Sequence, residues 1–81
     1  MTNREKYDKA FTETFQIDKL QLGEGLVYQS ITAWDSVGHM ALIAALEDAF
    51  NITLETDDIV NFSSYSLGKE ILAKYSVECN D

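Results

Sequence analysis

The segment Trp34–Phe50, WDSVGHMALIAALEDAF, is the longest stretch of this chain that reads as one helix, and it constrains the fold more than any other. Stepping about 100° per residue from Leu42 places His39, Leu42, Ile43, Leu46 and Phe50 on one arc, a core face. Gly38, Ala45 and Ala49 form a stripe of small residues beside it, which lets a second helix approach closely. Opposite the core lie Val37, Met40, Ala41 and Ala44, with Glu47 and Asp48 among them. This second face is either ordinary surface, where single apolar residues need no explanation, or a docking face for which methionine is an adaptable contact.

The flanking segments carry the same period. Helix 1 is expected over Asn3–Gln16, opened by a capping box of Thr2 with Glu5, with Tyr7, Ala10, Phe11, Thr14 and Phe15 as its inward stripe. Ile17–Ala33 shows no period, contains Gly23 and Gly25, and reads as a long loop; its apolar residues Leu20, Leu22, Leu26, Val27 and Ile31 are expected to pack across the core. Helix 2 starts at Asp35 or Ser36 and ends at Phe50. Thr56 reads as the N-cap of a short helix 3 reaching Phe62, with Asp57 and Asp58 in the first turn, where the helix dipole favours acids. Helix 4 is expected from Ser64 to Tyr75, burying Leu67, Ile71, Leu72 and Tyr75, with Glu70 and Lys74 as an i,i+4 pair.

No stretch alternates like a strand, and proline is absent, which suits helices. The expected fold class is all-α: a small four-helix bundle with a long loop between helices 1 and 2 and a short third helix. Residues 1–75 form the domain and residues 76–81 a polar C-terminal tail. At 81 residues the core is small, and a radius of gyration near ~12 Å is expected.

Charge narrows the function classes. Fourteen acids face six bases, and no Lys or Arg occurs between Lys19 and Lys69. Nucleic acid and anionic membrane are therefore not expected as partners; the acids either keep the domain soluble, the commoner use of such charge, or meet a basic protein surface. No apolar run reaches the ~18–20 residues of a membrane span, and the single Cys79 cannot form an internal disulfide, so a reduced cytoplasmic setting is expected. One His and one Cys are too few N/S ligands for a zinc site, so no metal is expected. Ser36 and His39 lie one turn apart without an orienting acid, which argues against a hydrolase triad and against an enzyme. His39, on the core arc, reads as a packed, hydrogen-bonded histidine. Asp35 or Ser36 reads as an N-cap, although the start of a helix also favours a bound or attached phosphate.

The same residues resemble a family. WDSVGHMALIAALEDAF is similar to the signature of acyl carrier proteins, in which Asp-Ser-(Leu/Ile/Val) opens the second helix. The likeness extends over nearly the whole chain: the first amphipathic helix, the long loop, FNITLETDDI leading into a short third helix, and a fourth helix after FSSYSL. The resemblance implies a four-helix bundle of acyl-carrier type. It further implies that Ser36 carries covalent 4′-phosphopantetheine, taken from coenzyme A by a phosphopantetheinyl transferase (a holo-acyl-carrier synthase), with Asp35 supporting the transfer. The arm's thiol would hold an acyl or aminoacyl group as a thioester. The chain would then be a monomeric carrier, passing cargo from a loading ligase to a downstream acyltransferase or synthase with basic surfaces. Val37, Met40, Ala41, Ala44, Glu47 and Asp48 would meet those partners.

One departure directs the reading. Fatty-acid carriers often have an acid two places after the serine and again further along; here those positions are Gly38 and uncharged residues as far as Ala45. The thinner acidic rim points to a specialised pathway. The alternative is an unmodified acidic adaptor that binds a partner through helix 2.

Overall fold

The computed structural model describes residues 1–79 and shows a small all-helical domain. Four α-helices occur among the described residues: α1 (Asn3–Phe15), α2 (Ser36–Phe50), α3 (Thr56–Asn61) and α4 (Tyr65–Ala73), with a 3-10 turn at Lys19–Gln21. The radius of gyration is 11.3 Å.

Local sequence explains most helix ends. The α1 capping box is complete: the Glu5 N–H donates to Thr2 Oγ1 at 3.1 Å and the Thr2 N–H to Glu5 Oε1 at 2.9 Å. Gln16 and Asn51 close α1 and α2 in the left-handed conformation, each with φ of 53°. Their N–H groups return to the Thr12 and Glu47 carbonyls. Ser64 caps α4 through the Leu67 N–H at 2.9 Å.

The core is built from rings. Phe11 on α1 lies within 4.9–6.3 Å, centroid to centroid, of Tyr7, Phe15, Trp34, Phe62 and Tyr65, several of them edge-on. Leu42, Ile43 and Leu46 bring the predicted face of α2 onto this cluster, and Ile71 and Leu72 bring α4. Gly68 allows α4 to sit this close, because a Cβ there would lie 2.2 Å from the Tyr7 hydroxyl and 2.3 Å from Phe62 Cζ. The Tyr7 hydroxyl donates to the Tyr65 carbonyl, and Tyr65 donates to the Asp8 carboxylate. Burial pushes the Tyr7 hydroxyl well above its ordinary range; burial and the bond to Asp8 push Tyr65 up to about 12.

The long segment between α1 and α2 is fastened rather than free. Val27 and Ser64 form an isolated antiparallel bridge, with Tyr28 N–H donating to Ser63 O at 2.8 Å and Tyr65 N–H to Leu26 O at 2.9 Å. Leu26 is buried, and the segment ends by driving Trp34 fully into the core. Two of its expected core residues behave otherwise: Leu20, on the 3-10 turn, is 92% exposed, and Val27 is exposed because it edges the bridge.

Four further expectations are corrected. Thr56 is the first residue of α3 and Glu55 its cap, without a side-chain capping bond. Instead the Glu55 N–H donates to the Tyr75 hydroxyl at 2.9 Å. Lys74 bonds Asp58 at 2.5 Å rather than pairing with Glu70, because the buried Asp58 carboxylate offers a fixed partner and Glu70 is exposed. Helix α4 stops at Ala73, and Tyr75 is half-buried with its hydroxyl donating to Asp58 Oδ2 at 2.5 Å. The segment read as a polar tail is not all solvated: Val77 and Cys79 are buried against the core. Residues 80 and 81 of that segment lie outside the described residues.

Candidate functional site

Asp35 settles which residue caps α2. Its Oδ1 accepts the Gly38 N–H at 2.8 Å, and its backbone is extended, as an N-cap requires. Ser36 is then the first helical residue. It is exposed, and no described residue exchanges a hydrogen bond with its hydroxyl. The first N–H groups of the helix lie at the same end, where the dipole favours negative charge.

Ser36 stands in the wall of a cleft of about 370 Å³ lined by Tyr28, His39, Met40, Ile59, Val60, Phe62 and Ser63. Two helices and the long segment converge here, and the lining is mostly apolar. His39 joins them. Its Nδ1 accepts from the Trp34 indole N–H at 3.0 Å, and its Nε2 lies 2.8 Å from the Ile59 carbonyl. These partners demand the neutral tautomer with the proton on Nε2, which donates to Ile59. His39 is thus a half-buried bridge from Trp34 through α2 to α3, as its place on the core arc indicated.

Gly38 has a structural cause. A Cβ at this position would lie 1.9 Å from the Ala33 carbonyl oxygen, so the incoming chain leaves no room for any side chain, acidic or otherwise.

The face assigned to docking divides on inspection. Val37 is 80% exposed and Met40 more than half exposed, with Ala41 and Ala44 also at the surface. Glu47 is half-buried, and its Oε2 accepts the Leu54 N–H at 2.9 Å, which ties the α2–α3 connection to α2. Asp48 is exposed but lines a groove with Lys6, Lys9 and Glu13 of α1. What the sequence reading missed is Val60, on α3, which is 73% exposed and forms the rim opposite Met40. The adjacent apolar pair Ile59-Val60 on so short a helix was the available signal, since neighbours about 100° apart do not share one inward direction.

On the far side of α3, Asp58 is buried between Lys74 and Tyr75. The Lys74 ammonium, and then the Tyr75 hydroxyl, hold its carboxyl below the usual carboxylate range. The same contacts raise Lys74 and Tyr75. No described group of three or more His, Cys, Asp or Glu side chains is arranged to hold a metal ion, and no described helix is long and apolar enough to cross a membrane. The chain matches no protein-family model, no curated protein and no solved structure.

Proposed function

We propose that the chain is a carrier that holds an acyl or aminoacyl group as a thioester on a 4′-phosphopantetheine arm attached to Ser36. The observation that supports it most is the division of labour at the start of α2: Asp35 does the capping, so the exposed Ser36 hydroxyl has no structural duty. The resemblance of residues 34–50 to the acyl-carrier signature supplies the chemistry. The Ser36 oxygen would attack the phosphorus of coenzyme A that bears the pantetheine. A phosphodiester forms, the bond to the adenosine 3′,5′-bisphosphate leaving group breaks, and the serine proton passes to a base of the transferase.

The residues present fit such a group. An attached phosphodiester would lie at the positive end of a fifteen-residue helix, beside a mostly apolar cleft. The group supplies a reactive thiol when attached. The chain's own residues present it, and the domain performs no chemistry on the cargo. Partners in this reading are the transferase, a loading ligase and a downstream acyltransferase or synthase of a specialised pathway in a cytoplasmic setting. The steric exclusion of an acid at position 38 is in keeping with partners other than those serving fatty-acid carriers.

Incubation with a broad-specificity phosphopantetheinyl transferase, Mg²⁺ and coenzyme A tests the reading. The expected product carries one phosphopantetheinyl group, located at Ser36 by fragmentation; an unchanged mass would count against it. The unmodified adaptor remains the competing reading, because exposed Val37, Met40 and Val60 suit docking with or without an arm.

A further inference from the structure

We propose that Asp58 disarms Lys74, the amine whose cleft adjoins that of Ser36, and so guards a thioester on the arm against capture as an internal amide. This rests on the carrier reading and adds a protective residue to the same site. A thioester is open to any free amine that reaches it. The nitrogen attacks the carbonyl carbon, a C–N bond forms and the C–S bond breaks; the arm's sulfur leaves and takes up the proton that the nitrogen loses. The cargo is then fixed to the chain. An ammonium has no lone pair and cannot attack.

The other amines lie elsewhere. No Lys or Arg occurs in residues 20–68. Met1, Lys6 and Lys9 line the α1–α2 groove, and Lys19 and Lys69 line a cleft where the starts of α1 and α4 meet the 3-10 turn; neither shares a wall with the Ser36 cleft. Lys74 is the exception. It lines a cleft of about 580 Å³ between α3 and α4 whose walls include Val60 and Ser63, and these two residues also line the Ser36 cleft. A phosphopantetheine arm of about thirteen bonds spans roughly 16 Å when extended, on a molecule that measures 30 × 26 × 20 Å. The Lys74 side chain is 61% exposed, so burial does not shield its amine. Asp58 holds it instead. Asp58 Oδ1 lies 2.5 Å from Lys74 Nζ, and Oδ2 accepts from the Tyr75 hydroxyl at 2.5 Å. That hydroxyl accepts the Glu55 N–H in turn, and the carboxylate is buried. A carboxylate fixed in this way keeps the ammonium in place, and its bond to Lys74 raises the lysine above its ordinary value. Glu70 lines the same cleft one turn before Lys74, but it is exposed, and an exposed pair of that kind holds little.

The test reads lysine reactivity twice. On the full apo chain, a limiting amine-reactive acetyl ester is expected to acetylate Lys74 about fivefold or more slowly than exposed Lys19, with sites located by fragmentation, and Asp58→Asn to bring the two rates within about twofold. On the chain loaded from acetyl coenzyme A by a broad-specificity phosphopantetheinyl transferase, hydroxylamine removes thioester acetyl and leaves amide acetyl. Asp58→Asn is expected to accumulate hydroxylamine-resistant acetyl on Lys74 about fivefold or more faster than wild type, and Lys74→Arg in that background to abolish it. Thermal melts verify folding; should Asp58→Asn not fold, the wild-type comparison of Lys74 with Lys19 still decides. Equal reactivity of Lys74 and Lys19 in the wild-type apo chain would overturn the proposal, as would equal amide formation at Lys74 in loaded wild type and Asp58→Asn. Absence of transfer to the wild-type chain would defeat the carrier reading and this inference together, whereas normal transfer with an unprotected Lys74 defeats the inference alone.

Discussion

The two sides of this domain are held by different forces. Around Phe11, helices α1 and α4 and the inserted Trp34 bury rings against rings, and the apolar surface there is consumed by folding. Around α3, a six-residue helix, the fastening is largely polar: His39 to Ile59, Glu47 to Leu54, Tyr75 to Glu55, and Asp58 to Lys74 and Tyr75. Directional bonds add here to the burial of Leu54 and Phe62 at the two ends of α3, while Met40, Val37 and Val60 stay outside. The contrast teaches where to look for a binding surface. Exposed apolar side chains gather where hydrogen bonds share the holding with packing.

Variants that break the contrast are ranked by effect. Phe11→Ala is expected to be the most damaging, because the ring is fully buried and touches five other rings. A loss of about 3–5 kcal/mol in urea unfolding would remove much of the stability of so small a domain. Gly68→Ala follows, at about 1–3 kcal/mol, since its methyl group collides with Tyr7 and Phe62 and forces them to shift. His39→Leu keeps bulk but orphans the indole N–H of Trp34 and leaves the Ile59 carbonyl with only the long 3.4 Å bond from the Phe62 N–H; about 1–3 kcal/mol is expected, with hydrogen exchange accelerated in α3 more than in α1.

Asp58 sharpens the comparison through pH. Its folded carboxyl is held below the unfolded value, so its contribution is present above the ordinary carboxylate range and is lost as pH falls through the lowered folded value. Melting temperature measured down an acid series is expected to fall in that window for wild type, and Asp58→Asn is expected to flatten the fall. Val37→Ser belongs at the bottom of the scale: an exposed site with no described side-chain partner, it should change stability by less than about 0.5 kcal/mol.

Much of the scaffold was legible because its signals are local. The period of residues 34–50 placed Leu42, Ile43 and Leu46 inside, the Thr2–Glu5 spacing located the start of α1, and Asp35-Ser36 marked the start of α2. The errors share a physical origin in contacts distant along the chain. Lys74 left Glu70 for Asp58, sixteen residues away; Thr56 lost the cap position because Tyr75 serves the Glu55 N–H; Val77 and Cys79 turned inward after α4 ended. The candidate site divides the same way. Asp35, Ser36, Val37 and Met40 came from one helix and could be read along it. The opposite rim at Val60, and the withdrawal of Glu47 toward Leu54, depend on how α3 folds back.

The most direct test of the central claim, that capping by Asp35 frees Ser36 to bear the arm, is the intact mass of the protein isolated from the cells that make it, wild type beside Ser36→Ala. Asp35 retains the cap in that variant, so both proteins are expected to fold alike. The account predicts a wild-type mass raised by a phosphopantetheinyl group, with heavier acylated forms that collapse to it after mild thioester cleavage, and an unmodified Ser36→Ala chain. Two unmodified masses, or the same added group on both proteins, would contradict it.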